Sequence, residues 1–387
     1  MSFEPADPVV RQLRAALTEE LPGAVALRHT IHADPYVSGE EGPTAAFVAD
    51  AVGAGDGVIV AGTGRLIRVG DGPCVVLRAE LDALPVVEQT GVSWSAGDGV
   101  MHACGHDVHL AALTAVARAI HRVRGRQASL AMLLQPREER APSGARDVVE
   151  ERVLSRMETC AVVAAHVQPR LPAGLVAVTP GVVNASADEF EVTVSGSGGH
   201  VGYPHTVHSP ITALCQTVLN LQSLTPAGVD PIHGGVCMVG RVESGTTNNV
   251  IPEQASASGS LRLMRLEDRE PTLERMRRIV EHTAAAHGCV GQLSVVLGEP
   301  VLVNDPGLAA ATTGWLSELG HATTDDFRSF GADDFSFYGH HAPALMMFVG
   351  TGGDHGLHDA RYLPGDDVVG LVADALLAGY LAAAPAE

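Results

Sequence analysis

The first part of the chain alternates between short apolar runs and longer amphipathic segments. The runs are rich in Val, Ala and Leu without polar alternation, which is the pattern of strands buried on both faces. Because helical crossovers between such strands produce a largely parallel sheet, the pattern predicts an α/β domain. The predicted strands are CVVLRAEL (74–81), ASLAMLLQP (128–136) and CAVVAAHV (160–167), and the predicted helices are VVRQLRAALTEEL (9–21), HLAALTAVARAIHRV (109–123) and ARDVVEERVLSRM (145–157).

The pattern changes after residue 182, where strands begin to alternate apolar and polar residues. The order of elements becomes β-α-β-β-α-β, which is the ferredoxin-like unit. After residue 299 the α/β pattern returns, with predicted helices at 307–320 and 366–384 and a strand at 344–353. We therefore predict a first domain over 1–182 and 300–387 and a second, inserted domain over 183–299. The elements of the inserted domain are strands at 188–196, 234–245, 254–264 and 291–299 and helices at 209–224 and 270–288.

Charge and composition narrow the class of protein. The 45 acidic and 25 basic residues give a net charge of −20, which repels nucleic acids and anionic membranes, so neither is expected as a partner. No apolar stretch approaches the roughly 18 residues of a membrane span, and the first residues lack a secretion signal, so we expect a cytoplasmic protein. The six cysteines form no C-x-x-C pair, which predicts buried thiols rather than disulfides.

Polar residues end the apolar segments of the first domain. In open parallel sheets the carboxyl ends of the strands meet at one crevice, so side chains that follow different strands can converge there. Taken singly, each residue has an ordinary explanation as a surface or capping group. The candidates are Glu138 and Glu139, His166, His358, and Cys104 with His106 in the stretch MHACGHDVHL.

Together these residues supply a thiolate, imidazoles and carboxylates, the ligands preferred by Zn²⁺, Mn²⁺, Co²⁺ or Ni²⁺. In an extended segment, residues two apart project to the same side, so Cys104 and His106 are expected to face one metal centre. His102 shares that parity as a supporting residue, whereas His109 is expected to be a structural histidine. Two adjacent glutamates can have different roles, because one can bind a metal ion while the other acts as general base toward a metal-activated water. The cluster therefore predicts a hydrolytic metal site.

These motifs resemble the aminoacylase and carboxypeptidase metallopeptidases, specifically the amidohydrolase branch that contains hippurate hydrolase and the indole-acetyl-amino-acid hydrolases. The most specific segments are MHACGHD, LLQPREE and NNVIP, and matching segments cover nearly the whole chain. The resemblance implies a metal-binding catalytic domain over 1–182 and 300–387 and a lid and dimerisation domain over 183–299. It also implies two divalent ions, Zn²⁺ or Mn²⁺ with Co²⁺ or Ni²⁺ as alternatives, and a homodimer.

The resemblance carries roles onto individual positions of this sequence. The implied metal ligands are Cys104, His106, Glu139, His166 and His358, with the Cys104 thiolate shared between two ions. Glu138 is the implied general base, and His200 is implied to reach the active site of a partner subunit and stabilise the oxyanion. Further implied roles are a polar contact from Asn249, binding of the substrate carboxylate by Arg262, and orientation of a ligand by Asp82.

Several positions depart from the family pattern. The usual R-A-D-M-D has Glu80 in place of its first aspartate, and HADPYV stands for H-x-H-P-E-L. Asp333 replaces a glutamate in G-x-E-D-F, Arg137 replaces a small residue before the two glutamates, and an arginine expected near SLTPAGVDP is missing. No departure removes a ligand, so they bear on the substrate more than on the reaction.

The sequence therefore favours a metal-dependent amidohydrolase that cleaves an N-acyl amino acid or related conjugate to a carboxylate and a free amine. A dipeptidase or carboxypeptidase with the same site is the first alternative. A non-catalytic metal-binding or ligand-binding homologue is the second, although such a protein would not need the general base Glu138. Nucleophilic catalysis by Cys104 with His106 is disfavoured, because it would leave Glu138, Glu139, His166 and His358 unexplained.

Overall fold

The computed structural model describes residues 7–97, 99–123 and 128–384. The chain divides into two compact units. Unit 1 consists of Met1–Gly181, Val303–Phe327 and Asp334–Glu387, and unit 2 consists of Val182–Leu302 and Arg328–Asp333. The segment Arg328–Asp333 therefore groups with unit 2, although its position along the chain suggested the first domain. A segment of six residues is too short to carry a periodic pattern that would reveal this.

Nine α-helices and sixteen strands lie in the described residues. The helices are α1 Pro8–Ala33, α2 Gly42–Val52, α3 His106–Arg122, α4 Gly144–Glu150, α5 Pro210–Gln222, α6 Leu224–Gly228, α7 Arg269–Ala286, α8 Pro306–Leu319 and α9 Asp367–Ala383. The strands are β1 Val58–Val60, β2 Gly64–Val69, β3 Cys74–Glu80, β4 Ser129–Gln135, β5 Thr159–Gln168, β6 Leu175–Ala177, β7 Gly181–Asn184, β8 Asp188–Ser195, β9 Gly199–His200, β10 Gly235–Ser244, β11 Val250–Ile251, β12 Gln254–Leu263, β13 Val290–Leu297, β14 Leu302–Asn304, β15 Ala322–Thr324 and β16 Ala344–Gly350.

Unit 1 is built on an eight-stranded sheet in the order β1-β2-β4-β3-β5-β16-β6-β15. Its central pairs, β4 with β3, β3 with β5, and β5 with β16, are parallel, whereas β1, β2 and β6 add antiparallel pairs. Every residue of β3, β4 and β16 is buried, as the unbroken apolar runs predict. The predicted mixed, mainly parallel α/β sheet is confirmed.

Helices α1, α3 and α9 share the core of this sheet. Helix α3 is buried along nearly its whole length because small alanines let neighbouring elements approach from every side. Helix α1 continues past Pro22, although a proline inside a helix usually ends or kinks it, and the sequence predicted its end at residue 21. The burial of Ala24, Leu27 and Ile31 beyond the proline explains the continuation, since packing of an apolar face outweighs local propensity.

Unit 2 contains an antiparallel sheet in the order β10-β12-β8-β13. Its main elements follow the order β8-α5-β10-β12-α7-β13, with short elements between them. One face of the sheet packs against α5 and α7 around Phe190, Leu214 and Met276. The buried carboxylate of Asp188 accepts two hydrogen bonds from Arg269, at 2.8 and 2.6 Å, which fixes the start of α7 to the sheet.

Two further expectations concern membrane-spanning helices and the state of the cysteines. None of the helices in the described residues is both long enough and apolar enough to cross a membrane. The six cysteines are free thiols, and Cys74, Cys104, Cys237 and Cys289 are buried.

Helix α2 and strands β1 and β2 had no clear sequence signal, because they are short and lie among glycines.

Candidate functional site

Six predicted side chains gather at one edge of the sheet in unit 1. Ligand atoms of Cys104, Glu139 and His358 lie within 4.8 Å of one another, and so do those of His106, Glu138 and Glu139. The Cys104 Sγ is also 3.4 Å from the Nε2 of His166. Glu139 is common to both groups, so the two potential ion positions adjoin each other. The side chains come from the turn before α3 and the first residue of α3, the segment after β4, the end of β5 and the segment after β16.

The turn that carries Cys104 and His106 depends on the glycine between them. Gly105 has a φ of 81°, in the left-handed region, and His106 is already the first residue of α3. A Cβ at position 105 would lie 2.5 Å from the Cγ2 of Val167, so a side chain has no room there. The expectation of an extended segment was therefore wrong. Cys104 and His106 reach the cluster through a turn and fall into different ligand groups.

Backbone carbonyls fix the orientation of two histidine rings. The Nδ1 of His106 donates to the carbonyl oxygen of Asp82 at 2.8 Å, and the Nδ1 of His166 donates to that of Val167 at 2.7 Å. A carbonyl oxygen only accepts, so each ring carries its proton on Nδ1. Whenever the ring is neutral, its Nε2 therefore has a lone pair that points away from the carbonyl and can bind a cation.

Burial and charge favour a cation at the cluster. Burial, together with the neighbouring carboxylates of Glu139 and Glu138, raises the pKa of the Cys104 thiol well above its usual value. Burial lowers the pKa of His166 to about 3, so this imidazole is neutral at neutral pH. Burial alone would raise the pKa of Glu139, but the interaction with His358 and the proximity of His106 lower it overall. A thiol that is protonated beside two carboxylates becomes a thiolate when a metal ion supplies positive charge.

Unpaired polar atoms give an independent test of metal fit. The Nε2 of His106, the Oδ1 of Asp82 and the Oε1 of Glu139 are buried without a hydrogen-bond partner, although His358 Nε2 lies 3.1 Å from that Glu139 oxygen. Such atoms are rare in folded proteins because each one costs free energy. A divalent ion would satisfy the His106 nitrogen and a Glu139 oxygen, which belong to one ligand group, and the mixture of sulfur, nitrogen and oxygen donors suits Zn²⁺ and related ions. The residues therefore fit a metal centre.

A third group, which contains Glu80, His106, His109 and His166, also has its ligand atoms within 4.8 Å. Both ring nitrogens of His109 are already engaged, because Nδ1 lies 2.8 Å from Glu80 Oε2 and Nε2 accepts the N–H of Val167 at 3.0 Å. The Arg78 guanidinium holds the other oxygen of Glu80. His109 and Glu80 therefore support the strand that carries His166 and are not available as ligands.

The remaining polar residues of MHACGHD lie behind the cluster. The carboxylate of Asp107 accepts hydrogen bonds from Arg28 and His32, each at 3.0 Å, and thereby ties the first turn of α3 to α1. His102 is buried, and neither of its ring nitrogens has a hydrogen-bond partner. Burial lowers the pKa of His102 to about 3, so the ring is neutral at neutral pH. None of the ligand groups includes His102.

Three predicted site residues belong to unit 2. Strands β9 and β11 pair His200 with Val250, which places His200 next to the backbone of Asn249. The Nδ1 of His200 accepts the N–H of Gly202 at 3.0 Å, so the ring proton is on Nε2, and the side chain is exposed. Arg262 lies on β12 and donates to the backbone carbonyl of Phe330 at 2.9 Å.

Sequence reasoning missed Ser38 and Glu41, which help to hold the glutamate pair. The Oδ2 of Asp82 accepts the backbone N–H of Glu139 at 3.0 Å and the hydroxyl of Ser38 at 2.6 Å. The carboxylate of Glu41 accepts the backbone N–H of Arg137 at 2.9 Å. The only sequence signal was that HADPYV, just before Ser38, departs from the family pattern.

Comparisons with known proteins agree in pointing to one family. Residues 76–378 match the sequence profile of peptidase family M20/M25/M40. The chain is 35% identical over 294 residues to an N-acetylcysteine deacetylase of Bacillus subtilis (strain 168), covering 76% of this chain and 77% of that protein. It is 30% identical over 308 residues to an N-acetyldiaminopimelate deacetylase of Shouchella clausii (strain KSM-K16), covering 79% and 81%.

A solved structure extends the comparison to the fold. The YXEP protein of Bacillus subtilis, described as a dinuclear metal-binding peptidase of the M20 family, superposes with a TM-score of 0.82 at 29% identity. The match covers 94% of this chain and 98% of that one. The shared fold therefore includes both units.

Proposed function

Because this chain belongs to peptidase family M20/M25/M40, we propose that it hydrolyses the amide bond of an N-acyl amino acid to a carboxylate and a free amine. The observation that carries the proposal is the pair of adjoining ligand groups that share Glu139 and include Glu138. The names of two relatives, deacetylases of N-acetylcysteine and N-acetyldiaminopimelate, support a short acyl group. In this proposal unit 1 is the catalytic domain, and unit 2 is the lid and dimerisation domain.

The residues of unit 1 would share the work as follows. Glu138 accepts a proton from the attacking water and later delivers it to the leaving nitrogen, which is the task of a general base that becomes a general acid. Its Oε2 lies 3.9 Å from His106 Nε2, so the carboxylate lies beside the proposed ion positions. Asp82 orients the pair, because it accepts the N–H of Glu139 and its carbonyl holds the ring of His106.

We propose two divalent ions, Zn²⁺ or Mn²⁺, with Co²⁺ or Ni²⁺ as alternatives. When bound, such ions supply Lewis acidity, which polarises a carbonyl and makes water nucleophilic at neutral pH. The proposed holders are four residues of the two groups, without Glu138, and one residue from the neighbouring strand end, and the resemblance of this chain to a dinuclear relative supports the number of ions. They are Cys104, His106, Glu139, His166 and His358.

Metal-reconstituted protein is expected to bind two divalent ions per chain, because the donor set exceeds what one tetrahedral ion uses. Replacing Cys104 with serine should weaken retention of the ions by at least about tenfold, since a hydroxyl is a poorer anionic ligand than a thiolate. Elemental analysis and competition with a chelator measure both quantities. Cys237→Ser is the matched control, because this thiol is buried in unit 2. Saturation at one ion, or unchanged retention in Cys104→Ser, would contradict the assignment.

His200 is proposed as the donor to the developing oxyanion, with Asn249 as its polar companion and Arg262 as the group that binds the substrate carboxylate. The Nε2–H of His200 supports this role, because it is a hydrogen-bond donor on an exposed side chain. We further propose that the protein is a homodimer in which His200 serves the active site of the partner subunit.

A release assay tests the proposed reaction. Metal-loaded protein is incubated with N-acetyl, N-benzoyl and long-chain N-acyl amino acids and with unblocked dipeptides, with Mn²⁺, Zn²⁺ or Co²⁺ added. We expect release of free amino acid from the N-acetyl substrates above all. Faster cleavage of the dipeptides would favour the peptidase alternative. No release from any substrate by metal-loaded protein would count against an amidohydrolase and in favour of a binding protein.

A further inference from the structure

The connection between α1 and α2 lies against the turn that carries the glutamate pair. Within this connection, Val37 forms a parallel bridge with Ala83, and the N–H of Ala83 donates to the carbonyl of Tyr36 at 2.9 Å. These contacts hold residues 34–41 alongside the segment that follows β3.

The backbone amides on both sides of Glu138 are held by carboxylates. The N–H of Arg137 donates to Glu41 Oε1 at 2.9 Å, and the N–H of Glu139 donates to Asp82 Oδ2 at 3.0 Å. Asp82 in turn accepts the hydroxyl of Ser38, so the connection contributes to both anchors. Glu41 has no solvent exposure, and its second oxygen accepts the hydroxyl of Thr63 at 2.7 Å. Such a fully bonded buried carboxylate has one defined position.

The turn itself requires this support. Arg137 has a φ of 50°, in the left-handed region that non-glycine residues rarely occupy. A residue in that conformation persists only where its surroundings hold it, and such residues cluster at functional sites. The carbonyl of Arg137 accepts the N–H of Gly144 at 2.9 Å, so both polar groups of its backbone are fixed. A Cβ on Gly144 would lie 1.7 Å from the carbonyl oxygen of Pro136, so only glycine allows this approach.

We propose that Glu41 is a positioning residue for the two glutamates. It holds Arg137 in the left-handed conformation, and that conformation determines the directions in which Glu138 and Glu139 leave the turn. The catalytic part of this inference rests on the proposed function, whereas the part that concerns metal binding by Glu139 does not. A carboxylate that must lie within a fraction of an ångström of its working position depends on such supporting contacts.

The test compares Glu41→Met, Glu41→Asp and Glu41→Gln. Met removes the acceptor, Asp retracts it by one methylene, and Gln keeps an oxygen that can accept the N–H of Arg137. We expect Glu41→Met and Glu41→Asp to lower kcat by about tenfold or more with KM within about threefold, and to weaken metal binding by about tenfold. Glu41→Gln should stay within about threefold of the wild type. The Asp variant keeps the test decisive if the Met variant does not fold.

Glu151→Met is the matched control. Its carboxylate also accepts a backbone N–H, from Ala61 at 3.0 Å, but it does not touch the glutamate pair. This variant should keep kcat and metal affinity within about threefold of the wild type. If Glu41→Met and Glu41→Asp behave like Glu151→Met, with only a lower melting temperature, Glu41 is structural and the proposal is overturned.

A second-site variant separates positioning from general stability. Glycine adopts a φ of 50° without the steric cost of a Cβ. Adding Arg137→Gly to Glu41→Met should therefore raise kcat at least about threefold above that of Glu41→Met alone. The single variant Arg137→Gly is the reference. No recovery would contradict the role of the left-handed turn. If the wild-type protein hydrolyses none of the substrates, the proposed function fails, and the metal-affinity measurements still decide whether Glu41 positions Glu139.

Discussion

Replacing Glu138 with glutamine is expected to lower kcat by at least about 100-fold while the protein keeps its metal ions and its KM. Glutamine has nearly the same shape but cannot accept the proton of an attacking water, and a positioned general base contributes about this factor or more. The ligand groups retain Glu139 and the Nε2 of His106, so metal binding should survive. Steady-state kinetics and elemental analysis of the same preparation measure the two effects.

Glu139→Gln is the matched control, because it makes the same chemical change one residue along the chain. Glu139 belongs to both ligand groups, so its loss should release metal, and added metal should restore part of the activity. If Glu139→Gln kept its ions and Glu138→Gln lost them, the roles of the two glutamates would be reversed. Retention of full activity in Glu138→Gln would remove Glu138 from proton transfer altogether.

Replacing His200 with alanine is expected to lower kcat by about 100-fold or more, the usual effect of losing one donor to an oxyanion. The Nε2–H of this ring is available because Nδ1 already accepts the N–H of Gly202. His205→Ala is the matched control, since it removes an exposed histidine from the same segment. Equal effects of the two variants would argue against a specific role for His200.

Mixing inactive chains tests whether His200 serves the partner subunit. In a symmetric dimer each active site would combine Glu138 of one chain with His200 of the other. A mixed dimer of Glu138→Ala and His200→Ala chains then has one site with both changes and one intact site. Random reassortment makes about half of the dimers mixed, so activity should recover to about a quarter of the wild-type value.

Reassortment is verified with a different affinity tag on each chain, and each variant alone is the baseline. Mixed dimers that form and stay inactive would restrict His200 to its own chain or remove it from the reaction. A monomer in solution would contradict the dimer proposal before any mixing. Intermediate recovery is interpreted from the measured fraction of mixed dimers.

Much of the fold could be read from the sequence, because burial on both faces leaves a continuous apolar run. Strands β3, β4, β5 and β16 and helices α3, α7 and α9 lie within a few residues of their predicted positions. The periodic signal failed where elements are short, as in β1 and β2, and where packing overrode local propensity, as at Pro22 of α1. Arg328–Asp333 groups with unit 2 because of its contacts with segments that are distant along the chain, and a local sequence pattern cannot predict such contacts.

The sequence by itself also determined which side chains are available for chemistry, because a thiol, an imidazole or a carboxylate brings its ligand properties with it. Only the tertiary structure decided how they are used. The carbonyl of Asp82 sets the tautomer of His106, and Glu80 with the N–H of Val167 engages both nitrogens of His109. Glu41 meets Arg137 across 96 positions of chain. A contact between residues so far apart has no periodicity or spacing in the sequence, since it exists only once the sheet and the connection between α1 and α2 have folded.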